Sequence, residues 1–203
     1  MVNHSILPLL PLAVLLPIMN SKVRYMRNPN AKKLDAEKLW AYALKSLGAR
    51  AQSSGEVRQK LVSKADNLAD VDGILARLRE YGFLNDKRFA ETVAASRLEN
   101  QGFGRARVIQ DLRGRRIAPV VAETAVGGVY SETDELELIE RYVRKKYRTA
   151  ERDGFLGDDK ELARAFGRLR RAGFGAGNIV RVLKKFARNP DLLDGIEDVP
   201  PPD

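Results

Sequence analysis

Cysteine is absent from the 203 residues, and histidine occurs once, at His4. Without thiols there is no disulfide framework, thiolate metal site, Cys nucleophile or redox switch. With the single imidazole so close to the amino terminus, a Ser-His-Asp triad, a zinc site built on imidazoles and His general-base catalysis drop out as readings. Alternating apolar and polar runs of the strand type are missing as well. So is a run fit to span a bilayer. Ile6 to Met19 is apolar throughout but includes Pro8, Pro11 and Pro17. It falls short of the ~20 residues a spanning helix needs, and the prolines interrupt the hydrogen-bond ladder that lipid demands. Lys22, Arg24, Arg27, Lys32 and Lys33 all follow that run and none precedes it, the reverse of a secretory signal. The expectation is a start placed too far upstream, with Met19 or Met26 the initiator. Residues 1–33 then form an unstructured apolar and basic extension with no membrane role.

What is abundant is positive charge. Lys and Arg number 36 against 27 Asp and Glu, a formal net charge of +9. Such a balance points to an acidic partner, most simply nucleic acid or a machine that handles it. At 44% hydrophobic and 31% charged residues, the composition is that of a folded domain.

From Leu34 to Ala187 the hydrophobic period is helical. Asp35 caps a helix carrying Leu39/Trp40, Ala43/Leu44 and Leu47; Ser53 and Glu56 have capping-box spacing ahead of Val57, Leu61 and Val62. Asp70 precedes Val71, Ile74/Leu75, Leu78 and Tyr81, with Gly82 at the C′ position. A second trio starts after Phe83-Leu84-Asn85-Asp86 and carries Phe89, Ala90, Val93, Ala94 and Leu98; Gly102-Phe103-Gly104 then breaks the chain ahead of Val108, Ile109 and Leu112. Pro119 opens its weak last helix through Val121 and Ala125, which Gly127-Gly128 should end. The third trio runs Leu136, Ile139, Val143, Tyr147, then Leu162, Ala165/Phe166, Leu169, then Ile179, Val182/Leu183, Phe186. Middle helices align as Lys60-Leu61-x-x-Lys64, Asp111-Leu112-x-x-Arg115 and Arg168-Leu169-x-x-Ala172, while Gly102-Phe103-Gly104 echoes Gly173-Phe174-Gly175 in a different frame. A repeat of this period favours small helical units that lean on one another, because a bundle of ~50 residues is marginal alone. The expected architecture is all-α: an elongated tandem array of three three-helix bundles at 34–84, 85–130 and 131–187, followed by a disordered acidic, proline-containing tail at 188–203.

The ordered motifs resemble those of the RecX family, regulators of the bacterial recombinase RecA. Leu75-x-x-Leu78-x-x-x-Gly82-Phe83-Leu84-Asn85-Asp86-x-x-Phe89-Ala90 carries most of the likeness, continued by Arg97-x-x-x-x-Gly102-x-Gly104. Tyr142-Val143-Arg144-Lys145-Lys146-Tyr147 and Leu169-Arg170-Arg171-Ala172-Gly173-Phe174, with Ile179-x-x-Val182-Leu183, resemble the family's third unit. The tails and the spacer from Thr149 to Gly157 depart from it. The resemblance implies a cytoplasmic, monomeric, non-enzymatic protein that needs no cofactor. It would bind RecA and the RecA–DNA filament and restrain recombinase, ATPase and coprotease activity in DNA repair and the SOS response. A stand-alone DNA- or RNA-binding helical module that does not require RecA is the alternative.

Two basic clusters are the candidate contact residues: Arg97, Arg105, Arg107, Arg113, Arg115 and Arg116, then Arg144, Lys145, Lys146, Arg168, Arg170 and Arg171. Guanidinium forks pair carboxylates or phosphates in bidentate fashion. The competing reading of each is a solvated helix face. Trp40, Phe89, Phe166 and Phe186 are assigned to the core, and so are Phe103 and Phe174 in their glycine-flanked turns. Gly173-x-Gly175-x-Gly177 follows a helix and lacks a Lys-Ser/Thr ending, so it is no phosphate loop. Asp134/Glu135 and Asp158/Asp159 sit where acids complement helix dipoles, and no metal or acid-base role is assigned to them.

Overall fold

A computed structural model of the protein describes residues 33–147, 156 and 159–193. The N-terminal extension, apart from Lys33, and most of the Thr149–Gly157 spacer lie outside the described residues. These hold nine α-helices: α1 (Ala36–Ala49), α2 (Ser54–Lys64), α3 (Ala69–Glu80), α4 (Asp86–Ser96), α5 (Arg105–Gly114), α6 (Pro119–Val129), α7 (Glu135–Lys146), α8 (Asp159–Arg171) and α9 (Ala176–Leu183). The architecture is the all-α helical-bundle array read from the sequence. A π-helical turn, Arg97–Gln101, extends α4, and a 3₁₀ turn, Pro190–Leu193, follows α9. Within the stretch expected as an acidic tail, Leu193 of that turn is fully buried. Residues 194–203 lie outside the described residues.

The capping signals act locally, as written in the chain. Asp35 accepts from Lys38 N at 3.0 Å, and Asn85 from Arg88 N at 2.9 Å. Ser53 and Glu56 form both bonds of the capping box. Burial raises the Glu56 pKa, but hydrogen bonds from Arg50 and the Ser53 amide outweigh it and hold the carboxyl below its ordinary value. Asp70 differs from expectation. Helix α3 begins one residue earlier, at Ala69, whose amide is taken by Asn67 Oδ1 at 3.1 Å. Helix α6 differs more, since Gly127 and Gly128 lie inside it and it runs on to Val129. Ala122, Ala125 and Val126 are buried along one side. Tyr130, which ends the helix, is buried with its hydroxyl donating to Phe103 O at 2.7 Å. Packing at both ends outweighs the ~1 kcal/mol that each mid-helix glycine costs.

Two hydrophobic cores result. One belongs to α1–α3 and centres on Leu39, Ala43, Leu61, Val71, Leu75 and Leu78. The other is shared by α4–α6 and α7–α9, running from Ala90, Val108 and Tyr130 through Leu138 and Tyr142 to Phe174, Ile179 and Leu183. Phe174 and Phe186 are core, as expected; Trp40, Phe89, Phe103 and Phe166 are half-buried at its margins.

The start of one middle helix sits on the turn that ends the next. At α2, Ser53 Oγ donates to Arg115 O at 2.5 Å and Asp86 Oδ1 accepts from Ser54 N at 2.7 Å. Gly55 lies against Arg116, so that an added Cβ would come within 2.5 Å of Arg116 Cβ. At α5, Gly104 N donates to Ala172 O at 2.8 Å and Ala106 N to Gly173 O at 3.3 Å. A Cβ on Gly104 would meet Gly173 C at 2.5 Å. The turn residue is left-handed in both joints, Arg116 at φ 61° and Gly173 at φ 92°.

Candidate partner-binding face

Most arginines of the first cluster, carried by the second helical trio, are engaged within the fold. Arg97 Nε and Arg107 Nε each stand 3.2 Å from one carboxylate oxygen of Asp111, whose side chain is 17% exposed. Arg97 also donates to Gln101 Oε1 at 3.1 Å. Arg105 donates to Tyr130 O at 2.6 Å, and Arg113 to Glu123 Oε1 at 2.8 Å. Arg115 lies over the Phe89 ring, 5.7 Å from its centroid. Arg116 donates to Gln59 Oε1 at 2.8 Å, tying α5's end to α2. Five donors per guanidinium leave capacity for a partner, yet each of these, Arg115 apart, already has an acceptor within the fold, a carboxylate for Arg97, Arg107 and Arg113 and a neutral oxygen for Arg105 and Arg116.

The later cluster is different. Lys145 donates to Asn100 O at 2.9 Å and Arg170 to Phe174 O at 3.0 Å. Arg144 rests over Phe186 at 5.5 Å, Lys146 over Tyr142 at 5.8 Å, and Arg168 over Tyr147 at 5.5 Å. These are contacts to ring faces, which leave the N–H groups free to bond outward. Arg171 has neither a hydrogen bond nor an ion pair among the described residues, and the same holds for Arg164.

Arg164 was not among the sequence candidates. It stands four residues before Arg168 and seven before Arg171, so the three form one stripe along α8, opposite the buried Leu162, Ala165 and Leu169. That i, i+4, i+7 spacing is the sequence signal for it. Gly167 lies between them and carries no side chain, leaving a shallow groove of ≈ 420 Å³ lined by Ala163, Arg164, Gly167, Arg168 and Arg171. Arg107 of α5 joins the stripe across the joint. Burial pushes the Tyr142 phenol above its ordinary pKa, and the charges of Arg168, Arg107 and Arg171 pull against that rise. Charge from two bundles thus acts on this part of the surface. Such a surface is suited to bind carboxylates or phosphodiesters by bidentate hydrogen bonds and charge.

The Asp134/Glu135 pair serves helix starts, while Asp158 of the other pair lies outside the described residues. Asp134 Oδ1 accepts from Leu136 N at 2.8 Å, and Glu135 Oε1 accepts from Gly175 N at 3.2 Å, where α9 begins. Among the described residues, no three His, Cys, Asp or Glu side chains gather as metal ligands would. None of the described helices is long and apolar enough to cross a membrane.

Comparison with known proteins accords with this architecture. A family model for the second three-helix domain of RecX matches residues 85–126. The regulatory protein RecX of Deinococcus radiodurans is 30% identical over 161 residues, 79% of this chain and 74% of that protein. That of Amycolatopsis mediterranei is 31% identical over 142 residues, covering 70% and 79%. The chain belongs to the RecX family. A crystal structure of RecX from Lactobacillus salivarius superposes with a TM-score of 0.62 over 74% of this chain and 96% of that one, at 19% identity. The RecX fold is thus kept where few residues are. The RecX motif at Gly82–Ala90 is the α3–α4 turn. There Gly82 takes φ 72°, Leu84 is buried and Asn85 caps α4, so its residue types answer to backbone geometry and core.

Proposed function

We propose that the chain is a non-catalytic regulator that binds RecA and its DNA filament and restrains RecA's recombinase, ATPase and coprotease activities. It acts as a monomer in the cytoplasm and needs no cofactor. Three helical units, 34–84, 85–130 and 131–187, form the modules of contact. The reading rests on family membership, and the observation that carries its site is the arginine stripe of α8, Arg164, Arg168 and Arg171, with Arg107 across the joint. The three α8 arginines form no ion pair with a carboxylate among the described residues, and such a stripe matches acidic patches on a filament, or the phosphates that the filament encloses.

The test is RecA's ATPase on excess single-stranded DNA, with the protein added well below one molecule per RecA protomer. Inhibition in that range supports the reading, and the double charge reversal R168E/R171E should raise the half-inhibiting concentration at least tenfold, since rim charges cost about 1 kcal/mol and buried pairs 2 or more. An effect that appears only once DNA becomes limiting assigns the stripe to nucleic acid itself, and binding to free DNA should then fall steeply with salt.

A further inference from the structure

The first unit exposes its own patch of large apolar surface. Tyr81 is 58% and Phe83 53% exposed, side by side in the α3–α4 turn. Their positions are fixed by backbone. Tyr81 N donates to Arg77 O at 2.9 Å, Phe83 N to Leu78 O at 2.8 Å, and Gly82 between them is left-handed, so Leu84 turns into the core while both rings face out. Trp40 of α1 continues the row. Its ring centroid lies 6.0 Å from that of Tyr81, which lies 6.5 Å from that of Phe83, both pairs edge to face. Arg77 covers Trp40 at 4.3 Å. Beyond Trp40 the groove between α1 and α3 opens to ≈ 720 Å³, with Ala36, Ala69 and Gly73 low in its lining, Ile74 alongside, and Glu37 and Asp70 at its rim. Small residues make the space, and aromatic rings held in place at one end add contact area at little entropic cost.

The charges select the occupant. The carboxylates of Glu37 and Asp70 make no hydrogen bond or ion pair with any described residue, and Arg77 is drawn over Trp40. Two carboxylates at the rim repel phosphate, which disfavours a nucleic-acid strand stacked on these rings. They suit a protein segment that places an apolar side chain in the groove and a Lys or Arg beside it.

We propose that the α1–α3 groove and the Trp40–Tyr81–Phe83 row form a second, apolar contact, taking an apolar side chain with an adjacent cationic one from a RecA protomer of the filament. This rests on the RecA reading above and adds a site of opposite character to the arginine stripe. Two linked weak contacts on one chain multiply through effective concentration, so the first unit contributes far beyond its own area.

Gly73 provides a clean perturbation. A Cβ there meets nothing within 4 Å, and the position lies mid-helix, so Gly73→Gln fills the groove while favouring α3. The chain's single tryptophan, Trp40, provides the readout when replaced by 5-fluorotryptophan, giving one fluorine resonance. Filaments of RecA on single-stranded DNA should shift or broaden that resonance, and single-stranded DNA alone should not. Gly73→Gln should raise the half-inhibiting concentration in the ATPase assay about tenfold or more, the range of a lost apolar anchor, with an unchanged or higher melting temperature. If the wild type inhibits and the variant inhibits equally, this inference falls while the RecA reading stands. A resonance that moves with DNA alone, or on concentrating the protein alone, overturns it in favour of nucleobases or a second copy. If the wild type does not inhibit at all, the RecA reading fails first and this contact with it.

Discussion

The joint between α5 and the α8–α9 turn predicts that Gly104→Ala is among the most damaging single-methyl additions available in the chain. The new Cβ would stand 2.5 Å from Gly173 C and 2.8 Å from Phe174 Cδ1, and would overlap the Gly173 carbonyl itself. Two of these neighbours are backbone and the third belongs to a side chain only 1% exposed, so none can swing away. Overpacking of this kind costs about 1–3 kcal/mol. Relief by separation would forfeit Gly104 N to Ala172 O at 2.8 Å and Ala106 N to Gly173 O at 3.3 Å, about 1 kcal/mol each. The two responses are alternatives, so the expected loss is about 2–3 kcal/mol, a large part of the stability of an ordinary domain.

Urea unfolding followed by two signals tests it. Far-UV circular dichroism reports all helices, whereas Trp40 fluorescence reports α1–α3, whose core is separate. Gly104→Ala should move the dichroism midpoint strongly and the Trp40 midpoint less. Gly127→Ala and Gly128→Ala, with nothing within 4 Å of the added Cβ, should instead stabilise by about 0.5–1 kcal/mol each. A Gly104→Ala protein within 0.5 kcal/mol of wild type would refute the close-contact argument. Equal shifts of both signals would refute the independence of the two cores.

Burial pushes the Tyr130 phenol from its ordinary value of 10 up to about 12, so between those pH values the unfolded chain loses a proton that the folded one keeps. Stability should fall with rising pH across that window, by about 1.4 kcal/mol per pH unit, and Tyr130→Phe should flatten the slope in urea titrations at pH 9–12. Asp111→Asn removes the charge shared by Arg97 and Arg107; because both guanidiniums are partly solvated, about 1–2 kcal/mol should be lost, read from the urea midpoint. A midpoint that does not move would mean that water already screens the pair.

Much of this was legible in the chain because it is local. Asp35, Ser53/Glu56, Asn85, Pro119 and Gly82 each act within one turn of their own helix, so their residue type and spacing suffice. What depended on distant partners was not. Tyr81 fits the apolar stripe of α3 by spacing, yet it falls at the helix end, where α1 offers it only the Trp40 ring, and it stays outside. The arginines of α5 read as a free basic face, but their partners, Asp111, Tyr130 O, Glu123 and Gln59, come mostly from other elements. Nothing in their spacing announces that. Arg164 was overlooked for the opposite reason: it stands apart in sequence from the dense runs and joins them only on the helix surface.

The two conflicting repeat frames of the sequence have a single physical origin. Gly102-Phe103-Gly104 ends the α4 extension and starts α5, while Gly173-Phe174-Gly175 ends α8 and starts α9. They occupy unlike positions in their trios, yet they are the two sides of one joint, with Gly104 packed on Gly173. Glycine recurs on both sides because both backbones must approach where a Cβ would collide. The α2 joint reaches the same arrangement with side chains: Ser53 Oγ, Asp86 and Gln59 do the bonding, and Arg116 accepts the left-handed turn. A left-handed arginine carries strain that glycine does not, and this joint joins two separate cores where the other lies within a shared one. The α2 joint is thus the one that opens at lower cost. It divides the apolar groove of the first unit from the arginine stripe of the third, the two surfaces that a filament partner would have to meet together.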